Sequence, residues 1–280
     1  MMDILLVAVG IAGLIVATIV DIKKREVPDW VSYSMICSGF ALRLINSITT
    51  DNWWYTLYGL IGFAAMLGIG MFMYYAKQWG GGDTKLIMAL GVIFATVGDD
   101  KYFLIDLFIN LLIIGAAYGI AFGIFLAIKK WDKFKEEIKK AMIKNKKLRI
   151  GTLILGGAVA LAIIIVQDKL ITMFLALPTL LLILYIYLIT FMRAVDKACM
   201  YKHIEVEKLT EGDWVAEEVK ANNRVVCGPK DLGLEKEQIE ELKRLKIKKV
   251  LVKEGIPFVP PFLIATILTL IFGNILMMLV

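Results

Sequence analysis

One histidine, three cysteines and six prolines in 280 residues leave several chemistries without raw material. His203 alone excludes a cluster of imidazole metal ligands and argues against a Ser-His-Asp triad. Cys37, Cys199 and Cys227 show no CxxC or other ligand spacing. They make no thiolate metal site and read as reduced, structural thiols. Neither a metal nor a cofactor is expected. The basic residues lie beside apolar segments with no nucleic-acid-binding motif, which excludes nucleic acid as a partner. No internal repeat of the kind that marks many transporters is visible. The first apolar run lacks a basic n-region and a small-residue cleavage site, so it is expected to stay as a membrane helix.

What the chain has is apolar length. At 59% hydrophobic residues and a mean hydropathy of +0.73 it falls in the membrane class. A bilayer crossing takes about 20 apolar residues. Segments are expected at 3–20, 30–48, 53–76, 79–98, 102–128, 150–166, 170–192 and 259–280. The fourth is the shortest: 86–97 alone does not reach, and it spans only if the glycines and Asp83 before it are drawn into the membrane.

Charge is partitioned between the loops. Lys23, Lys24 and Arg25 lie in the first, Lys77 and Lys85 in the third, and ten basic residues in 129–149 form the fifth. The even loops carry only Lys101 and Lys169. The positive-inside rule places the odd loops in the cytoplasm, both termini outside, and Asp21 and Asp83 on the same cytoplasmic side. Within 129–149, Trp131, Phe134, Ile138 and Met142 recur at helical spacing among lysines. That pattern predicts a basic amphipathic helix lying on an anionic cytoplasmic leaflet. Residues 193–256 hold thirteen acidic and fourteen basic residues and are expected to form a small α+β domain. Strands are predicted near 203–206, 214–219, 224–227 and 249–252, with a helix over 235–246. About sixty residues is small for an independent core, so this block is expected to lean on the membrane part.

The predicted fold is therefore an all-α polytopic membrane protein of about eight transmembrane helices. A small cytoplasmic α+β domain is inserted before the last helix. Its parts are a membrane domain (1–192), the charged domain (193–256) and the final helix (257–280). Arg43 and Asp106 fall near outer edges and are expected to snorkel. Pro178 is expected to kink its helix, and Asn274 to make an interhelical hydrogen bond.

The stretch Trp79-Gly80-Gly81-Gly82-Asp83-Thr84-Lys85 is the chemically loaded one. Successive glycines cost helix stability, and an ionisable residue at membrane depth is expensive enough to suggest function. Asp21 stands at the end of the first apolar run, before Ile22-Lys23-Lys24-Arg25-Glu26-Val27-Pro28-Asp29-Trp30. Two carboxyls meeting in a low-dielectric site share a proton, one acting as general base for a water and the other as general acid. Asp21 and Asp83 are thus the candidate catalytic pair of an aspartic protease.

Gly80-Gly81-Gly82-Asp83 fits a GxGD motif. With Lys85-Leu86 and Ala89-Leu90-Gly91, it resembles the second catalytic box of the type IV prepilin peptidases. Asp21, Arg25 and Val27-Pro28-Asp29 resemble the first box. The stretch from Glu254 to Phe262 is similar to the entry of the last helix in archaeal members with a small charged domain. The resemblance implies a prepilin or preflagellin peptidase that removes a short basic leader on the cytoplasmic side. Its substrates would be membrane-embedded type IV pilin-like precursors. Carried over by position, it makes Asp21 and Asp83 catalytic, gives Gly80 and Gly82 the shaping of the second box, and marks Lys85, Arg25 and Pro28 as motif residues. Relatives that also N-methylate the new terminus carry a cysteine-rich metal-binding domain. This chain has no such cluster, so peptidase activity alone and no metal are expected. Glu26 and Asp29 are candidates for attracting leader lysines or arginines.

Two other classes of protein share parts of this pattern. A presenilin or signal-peptide-peptidase-like enzyme shares GxGD but carries a mid-helix Tyr-Asp box and a Pro-Ala-Leu box, and both are absent here. A cation- or proton-coupled transporter would use two intramembrane aspartates beside broken helices. Placement of both carboxyls at one face argues against it.

Overall fold

A computed structural model describes residues 2–96, 102–166, 168–221 and 224–278. Among these the helices are α1 (Met2–Lys24), α2 (Asp29–Thr50), α3 (Trp54–Tyr75), α4 (Gly81–Ile93), α5 (Phe103–Lys129), α6 (Trp131–Lys144), α7 (Lys146–Val166), α8 (Lys169–Val195), α9 (Lys236–Arg244) and α10 (Val259–Phe272). The strands are β1 (Tyr201–Glu205), β2 (Trp214–Val215), β3 (Val219–Ala221), β4 (Arg224–Cys227) and β5 (Lys249–Lys253).

The predicted apolar segments all fall on helices, and five of these (α1, α3, α5, α7 and α8) are long and apolar enough to cross a membrane. The other three differ for physical reasons. With 13 and 14 residues, α4 and α10 reach about 20 Å at 1.5 Å per residue, against roughly 30 Å of hydrocarbon. Long enough at 22 residues, α2 carries Arg43 among several Ser, Thr and Asn residues. Positions 97–98 of the fourth segment, Lys101 of the fourth loop and positions 279–280 of the last segment lie outside the described residues.

The chain divides into two compact units. One comprises Met1–Gly119, Ile204–Val250 and Gly255–Val280, the other Ile120–His203 and Leu251–Glu254. In the first, α4 is the centre: Leu86, Ile87, Ala89, Leu90, Val92 and Ile93 are fully buried. Glycines let the neighbours approach. The Gly91 carbonyl oxygen of α4 sits where a Cβ on Gly62 of α3 would go, and Val92 of α4 lies 2.9 Å from the position of a Cβ on Gly39 of α2. On α1 the buried residues Leu6, Gly10, Leu14, Ala17 and Asp21 recur every three or four positions. Asp21 therefore ends the inward stripe.

Arg43 does not snorkel. It stands fully buried on the inward stripe of α2 formed by Met35, Gly39, Arg43 and Ser47. Its Nε donates to the Val92 carbonyl (2.6 Å) and Nη2 to the Ile93 carbonyl (3.1 Å), while Nη1 serves the Tyr55 carbonyl (2.9 Å) and Thr96 Oγ1 (3.1 Å). The rule of thumb for long cations fails here because the end of α4 offers unsatisfied carbonyls closer than water does. Asp106 does not point out alone either: the Asn274 amide donates to it at 2.8 Å. Asn110, fully buried on α5, donates to Thr269 Oγ1 and the Gly273 carbonyl and accepts from the Ile275 amide. Together these close the far end of α10.

The charged block begins later than the sequence suggested. Helix α8 runs through Val195 with Pro178 inside it and continues as a π-helical stretch to Met200, so the strands start at Tyr201. One sheet has the order β1-β5-β2, and β3 pairs antiparallel with β4, Val219 facing Cys227. Burial pushes the Cys227 thiol up to about 11, in keeping with a structural thiol. Within the first unit this block does lean on the helices. Lys77 Nζ donates to the carbonyls of Pro229 (3.0 Å) and Lys230 (3.1 Å).

In the second unit α6 packs on α8. Phe134 is buried against Phe191 (ring centroids 5.5 Å apart), beside Ala127, Ala194 and Cys199, and Ile138 joins them. The stripe expected to face lipid is thus largely covered by protein, because a neighbouring apolar helix buries it as well as acyl chains do. Trp131 and Ile143 remain exposed.

Candidate active site

Helix α1 ends with Arg25 in left-handed geometry (φ 59°), its amide donating to the Asp21 carbonyl at 2.7 Å. This reversal sends residues 26–28 back toward the start of α4. Pro28, extended (φ −62°, ψ 132°), then opens α2, its fixed φ and missing N–H suiting the turn before a helix. At the junction Val27 Cβ lies 2.9 Å from where a Cβ on Gly82 would stand. Gly82 is thus a glycine because the first box packs on it. Gly81 faces open space and Gly80 meets only the Asp83 carboxyl.

Asp83 sits in the first turn of α4 and caps it: its Oδ2 accepts from the Gly80 amide at 3.1 Å. Thr84 Oγ1 donates to the Gly80 carbonyl (3.1 Å) and to the Gly70 carbonyl of α3 (3.3 Å), which fastens this end of α4. Asp21 is 5% exposed, and its Oδ2 accepts from the Val259 amide at 2.9 Å. The two carboxyls are near enough for their charges to interact.

The start of α10 therefore belongs to the site, a role the residue-by-residue reading missed. The signal was present, since Val259-Pro260-Pro261 is a helix start. Pro260 and Pro261 contribute no N–H, and the amide turned toward Asp21 is that of Val259. Trp79, 3% exposed, packs on Phe262 of α10 at 5.4 Å and ties this helix to the glycine turn.

The remaining residues flagged by sequence gather around the pair. Lys85 Nζ lies 2.6 Å from Asp29 Oδ1 and 5.5 Å from the Tyr33 ring, linking the second box to the start of α2. Arg25 Nη1 donates to the Gly255 carbonyl at 3.3 Å. Glu26 Oε1 accepts from Thr210 Oγ1 at 2.8 Å. Glu26 and Asp29 each engage a partner within the protein through one oxygen while staying exposed. Among the described residues, no group of three or more His, Cys, Asp or Glu side chains is placed to hold a metal ion.

Chemically, the arrangement offers two carboxyls, each accepting a backbone amide through one oxygen, beside a side-chain-free turn. That geometry suits activation of a water against a peptide carbonyl.

Residues 8–127 match the type IV leader peptidase family. A preflagellin peptidase of Methanocaldococcus jannaschii is 38% identical over 85 residues, covering 30% of this chain and 36% of that protein. One from Methanococcus voltae is 34% identical over 86 residues, covering 31% and 36%. A third, from Methanococcus maripaludis, is 28% identical over 85 residues, covering 30% and 36%. The matched part spans about a third of the length of these curated relatives. No solved structure matches.

Proposed function

Because residues 8–127 belong to the type IV leader peptidase family, we propose that this chain is an aspartic endopeptidase of the membrane–cytoplasm interface. Its substrates are type IV pilin-like precursors, prepilins or preflagellins, from which it removes the short basic leader. Asp21 and Asp83 are the catalytic pair. The observation that carries this reading is the convergence of two carboxyls, 62 positions apart in the sequence, on one site where α1, α4 and α10 meet.

The pair shares one proton. The ionised carboxyl takes a proton from water as its oxygen attacks the scissile carbonyl carbon. The protonated carboxyl gives its proton to the carbonyl oxygen, producing a gem-diol. One carboxyl then gives a proton to the amide nitrogen while the other takes one from a gem-diol hydroxyl, which breaks the C–N bond, frees the new carboxylic acid and restores the pair's single proton. Gly80 and Gly82 keep side chains away from Asp83. Lys85 ties the second box to Asp29 of the first, Arg25 reaches the Gly255 carbonyl ahead of α10, and Pro28 fixes the turn into α2. No methyl transfer and no metal enter this scheme.

In this reading the shorter helices α4 and α10, and the more polar α2, also lie within the membrane, giving eight segments. Burial of α4 on all sides supports this, since a short helix wrapped by others needs no lipid contact of its own. Asp21 and Asp83 then face the cytoplasm, where Lys23, Lys24, Arg25, Lys77 and Lys85 concentrate, and both termini lie outside. The lysines of 129–149 face an anionic leaflet.

The test uses purified full-length protein in detergent and a synthetic precursor carrying its leader. Asp21→Asn and Asp83→Asn are each expected to lower turnover at least about 10³-fold while the protein stays folded. The mass of the released leader gives the cleavage site. Near-normal turnover in either variant would refute the assignment.

A further inference from the structure

Helix α4 carries the proposed catalytic Asp83 at one end, and what holds its other end is unusual. α2 and α3 both extend beyond it. Seven residues of α2 follow Arg43, about 10 Å of helix. From Gly62, opposite Gly91 of α4, α3 runs back eight residues to Trp54, roughly 12 Å. The last carbonyls of α4 therefore finish below the ends of their neighbours, away from bulk water. Such carbonyls are costly if unpaired in an apolar surround.

Arg43 answers that need with one side chain. Its planar fork reaches the Val92 and Ile93 carbonyls, Thr96 Oγ1 and the Tyr55 carbonyl together. Tyr55, whose ring lies under the guanidinium at 4.7 Å, is in turn hydrogen-bonded through its hydroxyl to Asp3 of α1. A cation at a helix C-terminus also matches the helix dipole. Room for the side chain comes from Gly59, since a Cβ there would collide with Arg43 Cδ. The guanidinium thus joins α2, α3 and the end of α4, with α1 one bond further away. At the opposite end, Thr84 holds α4 to α3.

We infer that Arg43 is a positioning residue for Asp83: it fixes the depth and rotation of α4, and through that rigid helix the place of the carboxyl at its far end. This rests on the proposed catalytic role of Asp83. A lysine cannot replace it, because an ammonium on a single stem cannot satisfy divergent acceptors with a planar fork.

Two variants test the inference in the full chain. Arg43→Lys removes the fork and keeps the charge. Gly59→Ala keeps the arginine and pushes it off its acceptors, so a folding failure of the first leaves the second to decide. Both are expected to cut kcat about tenfold or more, as small misplacements of reacting groups do, with KM within about twofold. A second readout does not depend on activity. Gly81, whose Cβ position is open, is replaced by cysteine in a Cys37→Ser background. Its labelling rate with a membrane-impermeant thiol reagent is then compared with and without the Arg43 or Gly59 change. A severalfold change is expected, because the start of α4 moves. A folded variant with unchanged kcat overturns the inference even if it melts earlier. Lost kcat with unchanged labelling overturns it too, since Arg43 would then act by another route. An active Asp83→Asn protein would instead refute the functional reading beneath it.

Discussion

Adjacent glycines at 81 and 82 meet different surroundings, and this separates two uses of a glycine. At Gly82 an added methyl would press on Val27, 2.9 Å away, and push the first box off the second. At Gly81 it would meet nothing within 4 Å. Gly82→Ala is therefore expected to lower precursor cleavage about tenfold through displacement of the pair, while Gly81→Ala stays within about twofold of the parent protein. Equal losses would mean that substrate, and not Val27, sets the need for a small residue. The Lys85–Asp29 pair belongs to the same junction but is partly exposed, with side chains 33% and 58% accessible. Its contribution to stability is small on general grounds, so its value lies in orientation.

Among the elements, α10 is held at both ends by polar contacts in an apolar surround. Its start donates the Val259 amide to Asp21, and its far end is closed by Asn110 and Asp106 of α5. Asn110→Leu strands the Gly273 carbonyl and the Ile275 amide together. The cost is expected to be about 2–3 kcal/mol, read as a lower midpoint of thermal unfolding in detergent. An unchanged midpoint would show that α10 is held by its apolar stripe alone. The stripe of Phe262, Ala265, Thr266 and Thr269 explains how a helix of only 14 residues keeps its rotation.

For the molecule as a whole, the charged block is linked to the site by short-range ties within one unit. Lys77, in left-handed geometry (φ 56°) just after α3, reaches carbonyls of the 229–230 turn. Thr210 reaches Glu26 beside the first box. Lys77→Ala is expected to speed limited proteolysis of the block roughly threefold, as looser segments open more often. The thermal midpoint of the helices should not move. A block that resists proteolysis as before would show that the chain connections alone keep it seated.

Much of this was legible from the chain. Apolar length specified the helices, because a helix in lipid must satisfy its own backbone. Turn residues foretold strands between 201 and 253. Residue pattern cannot say which neighbour a side chain meets. Arg43 looked like a snorkelling cation until the end of α4 proved nearer than water, and Phe134 looked like a lipid anchor until α8 covered it. The Val259 amide came to Asp21 from 238 positions away in the sequence. Local periodicity specifies which face of a helix is apolar. Only packing decides whether lipid, water or another helix satisfies it, because that choice depends on distances between segments that no local pattern encodes.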